Sequence, residues 1–372
     1  MPEISLLWIA WILSSLLVSR LVPMRLRMDW MAAAGFLFLA IHAPWSCLLL
    51  SAGTLLTAWA VRQSKTSRSQ LPLLLVVAYS AATLLIHGLR ARLWGAETEA
   101  VVALVGAAYF ACRQMHVAFE AYAGRLPGLT FADQLRYQFF LPTILLGPIH
   151  RIKGFTRSCL RRREQPGDFY AGLERALLGS AKVAVIANLV VEGVVKSWLD
   201  IHGPSGFAGA YVSGCVGWIS LYFTFAGYSD IAIGFARSYG IPIEENFNRP
   251  WQAKNLIDFW QRWHMTLSNW CRDYVYAPLA AATRRHGPAL LAAMLVMGFW
   301  HEVSVYYVVW GLYHASGIIL CRKLQCSSLV HRLAERHPGM LRAAARSATF
   351  AWLAGSAPVV TLVLDLALGR PA

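Results

Sequence analysis

Apolar residues arrive along this chain in long runs, not in alternation. Most runs approach the roughly 20 residues a helix needs to cross a bilayer. The first is Ile4 to Val18, with Arg20, Arg25 and Arg27 behind it. A cleaved leader carries its charges ahead of its apolar core, so this run reads as an uncleaved helix with its N-terminus outside. Trp30 to Val61 is too long for one span, and His42, Pro44 and Trp45 divide it into a hairpin. Arg62, Lys65 and Arg68 make the next loop basic, and Leu71 to Leu89 and Glu99 to Phe119 are further spans.

Phe131 to Ile149 is apolar but cut by Pro142 and by Gly147-Pro148. Irregular backbone at membrane depth survives only inside protein or along a cavity, so a broken or re-entrant segment is expected there. Arg151, Lys153, Arg157 and Arg161 to Arg163 follow as a cytoplasmic loop on the positive-inside pattern. Ala176 to Trp198 goes out, Gly203, Pro204 and Gly206 turn the chain, and Ala208 to Ala236 returns. Asp230 in that return reads as a hydrogen-bonding lock on a neighbouring helix or an arginine. Ala289 to Trp300 and Val303 to Leu320 form another pair, which places His301 away from the cytoplasmic face. Ser327 to Ser347 reads as a basic surface helix and Thr349 to Leu368 as a last span. The fold class is therefore all-α and polytopic, with about nine to eleven membrane segments, and residues 1–372 are expected to form one integral-membrane domain.

Composition agrees. Of 372 residues 57% are hydrophobic and 14% charged, against about 25% charged in soluble domains. The net charge of +15 belongs to cytoplasmic loops facing anionic membrane lipids; no nucleic-acid motif accompanies it. The seven cysteines include no C-x-x-C pair, so neither a metal site nor a disulfide framework is expected.

Polar chemistry concentrates between Asn246 and His301. Asp258, Arg262, His264, Ser268, Asn269, Arg272 and Asp273 are interleaved there with Trp260, Trp263 and Trp270. Such polarity beside membrane-length apolar runs is costly unless it faces a cavity, a partner helix or the interface. Asp258 and Arg262 are four apart and can pair on one helix face. Phe259, Trp260, Trp263 and Leu267 make an apolar stripe, so an amphipathic helix near headgroup level is expected, bracketed by Pro250 and Pro278. His301 stands between two apolar runs. A neutral imidazole is expected there, able to take a proton from a hydroxyl; taken alone, the residue reads first as a packing histidine.

Four ordered fragments, FFLPTILLGPIHRIKGF, YFTFAGYSDIAIGFARSYGIPIEENFNRPW, DFWQRWHMTLSNWCRDYVYAPL and GFWHEVSVYYVVWGLYHA, run from about Phe139 to Ala315. Together they resemble the membrane-bound O-acyltransferase family, most closely the bacterial branch of alginate O-acetylases and teichoic-acid D-alanyl transfer proteins. The resemblance implies a helical bundle around a central tunnel, with amphipathic and re-entrant helices, in the bacterial inner membrane. It implies transfer of an acetyl- or D-alanyl-like group from a thioester, on CoA or an acyl carrier protein, to a hydroxyl of an envelope polysaccharide, glycolipid or exported product. No bound cofactor is implied, and a periplasmic transfer partner is.

The family's histidine falls on GFWHE, which makes His301 the base. Its second polar position falls on RWHMTLS, which makes His264 a residue that orients the acyl group or supports the oxyanion. Asn246, Asn248, Asp258, Arg262, Trp263, Asp273 and Trp300 are expected to support the site or line the donor side. His314 is expected to pack or line the tunnel. The arginines after Ile149 gain a second reading as a landing place for a phosphorylated donor. The chain departs from the pattern at Glu302, where the family usually has glycine after W-H. Acylation of a lipid or small metabolite, a proton-coupled transporter and a non-catalytic scaffold remain as other readings.

Overall fold

A computed structural model describes residues 2–67, 69–94, 106–161 and 165–368. Arg68, Glu99, Arg162 and Arg163 lie outside the described residues. All regular elements among the described residues are helical. The first runs become α1 (Pro2–Ser19), α2 (Arg27–His42), α3 (Pro44–Ser64), α4 (Leu71–Trp94) and α5 (Ala107–Tyr122). The hairpin breaks where expected: Pro44 opens α3, where its missing N–H costs nothing. α6 (Phe131–Gln138) starts on a capping box between Thr130 and Asp133. After it come a tight turn, Leu141–Thr143, and irregular chain before α7 (Ile152–Leu160). α8 (Pro166–Ala181) continues through wider, π-type turns over Lys182–Lys196 into α9 (Ser197–His202), and α10 runs from Gly206 to Ser238. The second half holds α11 (Leu256–Trp260), α12 (Met265–Cys271), α13 (Ala277–Thr283), α14 (His286–His301), α15 (Val305–Gln325), α16 (Ser328–Arg336), α17 (Pro338–Ala354) and α18 (Ser356–Leu368).

Among the described residues three helices are long and apolar enough to cross a membrane: Pro44–Ser64, Pro166–His202 and Gly206–Ser238. The pair α17 and α18, bent by 50°, makes a fourth if taken as one span. This is fewer than the segments expected above. Leu6–Ser19 and Leu71–Ile86 are shorter apolar helices, and α14 has only 16 residues. A run of apolar letters does not register where the helix inside it starts and stops.

The chain forms two compact units, Met1–Leu178 with Ser229–Glu244, and Gly179–Tyr228 with Glu245–Ala372. In the first, the broken segment after α6 is organised by Arg113 of α5, which is fully buried. Its guanidinium donates to the carbonyl and hydroxyl oxygens of Thr143 and to the carbonyls of Gln138 and Tyr137. Trp8 Nε1 donates to the Leu141 carbonyl at 3.0 Å and the Tyr137 hydroxyl to the His150 carbonyl at 2.6 Å. The backbone groups released by the missing helix thus find partners inside protein, as irregular chain away from water requires. Asp230 is the expected lock: Arg175 Nε and a terminal guanidinium nitrogen donate to its Oδ1 at 2.9 and 2.8 Å.

In the second unit, α14 and α15 pack unusually close. A Cβ on Gly298 would lie 2.5 Å from the Tyr307 carbonyl oxygen, so only glycine permits the approach. At the bend between α17 and α18, the Leu353 carbonyl accepts from Trp218 Nε1 at 2.6 Å and from the Ser356 hydroxyl at 2.7 Å.

Candidate active site

The expected amphipathic helix is not continuous. α11 ends at Trp260, and α12 begins only after a turn whose last residue, His264, has φ 41° and ψ 54°. That left-handed shape is uncommon for a residue with a Cβ. It is imposed by pairing with an earlier stretch. Asn248 N–H donates to the Arg262 carbonyl at 3.0 Å, and Met265 N–H donates to the Asn246 carbonyl at 2.8 Å. These two bonds bracket His264. The Thr266 hydroxyl donates to the Asn246 side-chain oxygen at 2.6 Å, and Asn246 is fully buried. Arg262 Nε pairs with Asp258 Oδ1 at 2.8 Å, and another of its nitrogens donates to the Asn248 carbonyl at 3.2 Å. Asp258 itself accepts from Lys254 N–H at 2.9 Å. Asn246, Asn248, Asp258 and Arg262 therefore form one clamp that sets the direction of His264. Pro278 does not end the element but sits in the first turn of α13.

His264 is 3% exposed. Its ring meets Phe225 edge-on at 4.5 Å and Trp300 at 5.3 Å. Trp300 in turn meets His301 at 5.0 Å. The two histidines, 37 positions apart, thus flank one indole. The His264 turn lies outside any spanning helix. Burial holds its imidazole well below the ordinary histidine value, and a charge on His301 would act in the same direction. His264 is thereby neutral at ordinary pH. Its Nε2 is buried with no hydrogen-bond partner among the described residues.

His301 closes α14 and, unlike His264, is exposed. Its ring stacks on Tyr307 at 5.2 Å with 15° between planes and meets Trp310 edge-on at 5.5 Å. Tyr307 and Trp310 line a cleft of about 900 Å³, and His301 packs behind them, outside its lining. His314, fully buried, sits beyond Trp310 at 4.5 Å and beside Trp260 at 5.2 Å. Both its ring nitrogens and Trp260 Nε1 lack partners among the described residues. Buried polar atoms are normally bonded, so this set has hydrogen-bonding capacity that the described residues leave unused.

Trp263 is buried, stacked on Phe259 at 5.4 Å and edge-on to Trp218 at 4.9 Å. Glu302 caps α14 through its backbone N–H to Gly298, with its side chain part-exposed. Asp273 pairs instead with the adjacent Arg272 at 2.8 Å, on a more exposed face.

A family model described as MBOAT, membrane-bound O-acyltransferase family, matches residues 63–332. The chain belongs to the membrane-bound O-acyltransferase family. Among its relatives, the teichoic acid D-alanyltransferase of Bacillus subtilis is 31% identical over 232 residues, 58% of each protein. The probable alginate O-acetylase of Pseudomonas aeruginosa is 28% identical over 224 residues, 59% of this chain and 43% of the relative. The peptidoglycan O-acetyltransferase of Helicobacter pylori is 30% identical over 198 residues, 52% of this chain and 37% of the relative. The chain thus spans about half the length of the curated relatives it matches.

Within this family member the matched region contains every residue of the His264–Trp300–His301 cluster. Sequence reasoning missed Tyr307, Trp310 and Phe225 as its walls, and Trp218 beside Trp263. For α15 a signal existed: positions 307, 310 and 314 follow helical spacing on one face. For Phe225 and Trp218 none did, since both lie in the long uncharged stretch of α10 ahead of Asp230.

Proposed function

We propose that this chain is a multi-pass acyltransferase of the bacterial inner membrane. It moves a short acyl group, acetyl- or D-alanyl-like, from a CoA or carrier-protein thioester on the cytoplasmic side. The acceptor is a hydroxyl of an envelope polymer presented on the other side, reached through the protein's interior. The observation that carries this reading is the meeting of His264 and His301 on Trp300. Each lies in a separate signature fragment, and acyl transfer needs both a base and an oxyanion partner.

In this mechanism the acceptor hydroxyl reaches the exposed His301. The imidazole takes the hydroxyl proton as the oxygen attacks the acyl carbon. The C–O bond forms, the C–S bond breaks, and the departing thiolate recovers the proton from His301. His264, neutral and with Nε2 unpartnered, donates to the carbonyl oxygen as charge builds on it. The clamp formed by Asn246, Asn248, Asp258 and Arg262 fixes that donor in advance, so little reorganisation accompanies the charge. Stacking on Tyr307 fixes the base. The relatives' names, which specify alginate, teichoic acid and peptidoglycan, support an envelope polymer as acceptor.

The test is mass spectrometry of envelope glycans and lipids from cells with wild type or His301→Ala at matched levels. An ester-linked acyl group lost in the variant is the expected result and would identify acyl and acceptor together. An unchanged ester profile with a well-folded variant would remove the base assignment.

A further inference from the structure

Within the second unit, α15 and α17 run antiparallel and meet near Gly317. Trp352 of α17 stacks on Tyr313 at 4.4 Å with 21° between planes, and the Tyr313 hydroxyl donates to the Trp352 carbonyl at 2.8 Å. Gly317 lets the indole lie against the helix backbone, since a Cβ there would meet Trp352 Cε2 at 2.6 Å. From this closure the two helices lead toward Gln325 and Arg342, and a cavity of about 490 Å³ lies along them. Leu320, Leu324, Leu341 and Ala348 are among its walls, and Trp352 closes its inner end. Arg342 stands ten positions before Trp352, which is roughly 15 Å of helix. Leu320 and Leu324 remain about half exposed, at 49% and 50%, so the chain itself leaves these walls uncovered.

The charged side chains of the lining are Lys254, from the turn before α11, and Arg342, from the start of α17. Both are exposed, and neither has a carboxylate partner among the described residues. Among the described residues no acidic side chain lines the cavity. Arg322 and Lys323 occupy the last turn of α15, which puts this end at the cytoplasmic face. Anionic lipids are concentrated in that leaflet.

We propose that this cavity holds one acyl chain of an anionic phospholipid from the cytoplasmic leaflet, with the lipid phosphate at Lys254 and Arg342. The inference stands apart from the acyl-transfer reading: the lipid is a bound ligand, neither donor nor acceptor, and no bond changes. The volume falls in the range of small-molecule sites, and the leucine walls suit an alkyl chain. A soluble anion would match the cations and leave the apolar walls wet. A zwitterionic lipid would cover the walls and leave the cations without a net charge to meet.

The test is native mass spectrometry of the purified, delipidated full-length protein, titrated with palmitoyl-oleoyl phosphatidylglycerol or with the matching phosphatidylcholine. Wild type should bind a first phosphatidylglycerol well ahead of phosphatidylcholine. The double variant Lys254→Gln with Arg342→Gln should lose most of that preference. The affinity for phosphatidylglycerol should fall about thirtyfold, the product of roughly fivefold for each cation near an anionic headgroup. Ala348→Trp, at an exposed position of the wall, fills the slot and should weaken the first phosphatidylglycerol while both cations stay in place. Far-UV circular dichroism shows whether each variant keeps its helices. No headgroup preference in wild type, or a preference that survives in the double glutamine variant, overturns the proposal. So does wild-type phosphatidylglycerol binding by Ala348→Trp, which would put the lipid on the surface and not in the cavity.

Discussion

A histidine in a left-handed turn, closed in by Phe225 and Trp300, has little freedom to respond to its surroundings. For His264 this has a pH consequence. Burial lowers its pKa in the folded protein, while unfolding returns it to the ordinary value of 6.5. Below that value the unfolded chain binds a proton that the folded protein refuses, so this contribution favours folding less as pH falls. Stability is full above the unfolded value and declines beneath it. His264→Asn keeps a side chain that tolerates the left-handed shape. Its unfolding temperature should fall less than the wild type's between about pH 7.5 and about pH 5.5. Equal losses in the two proteins would show that His264 is not the group refusing the proton. At the clamp, Thr266→Val removes the buried bond to Asn246 and should cost about 1 to 2 kcal/mol in thermal or denaturant unfolding. Transfer should fall further than that loss explains, because the turn then holds His264 less well.

Elements differ in how openly the sequence declares them. The α2–α3 hairpin was legible because proline acts on its own residue and its neighbour. The Asp258–Arg262 pair was legible because four residues return a helix to one face. The break between α11 and α12 was not. It depends on backbone bonds from Asn246 and Asn248, and the same letters without that pairing read as one amphipathic helix. Likewise the histidines were readable as chemistry, but their meeting on Trp300 was not, since it depends on how α14 packs. The α14–α15 contact offers its own test. Gly298→Val places two methyls where one Cβ would already meet the Tyr307 carbonyl. It should cost about 1 to 3 kcal/mol and part the His301–Tyr307 stack. A variant with wild-type melting temperature and transfer rate would mean that the close approach is not required.

At the scale of the whole molecule, sidedness decides which face each end of the reaction uses. Cys326 is exposed at the end of α15, just past Arg322 and Lys323. The positive-inside pattern puts that end in the cytoplasm. A membrane-impermeant maleimide should therefore label Cys326 in inverted vesicles and not in right-side-out ones; the reverse pattern would turn the proposed direction of transfer around. The buried Arg113 bears on how the molecule is made. Its partners, Tyr137, Gln138 and Thr143, lie 24, 25 and 30 positions further along the chain. When α5 first emerges from the ribosome, those carbonyls are still inside the exit tunnel. An arginine at the centre of a membrane helix carries an insertion penalty of about 2.5 to 3.5 kcal/mol. Nascent α5 must therefore wait at the translocon or interface until the broken segment arrives to receive the cation. In chains released before Thr143, Cys112 of α5 should react with a water-soluble maleimide, whereas in chains released well after Ile152 it should be protected, since it is buried in the folded protein.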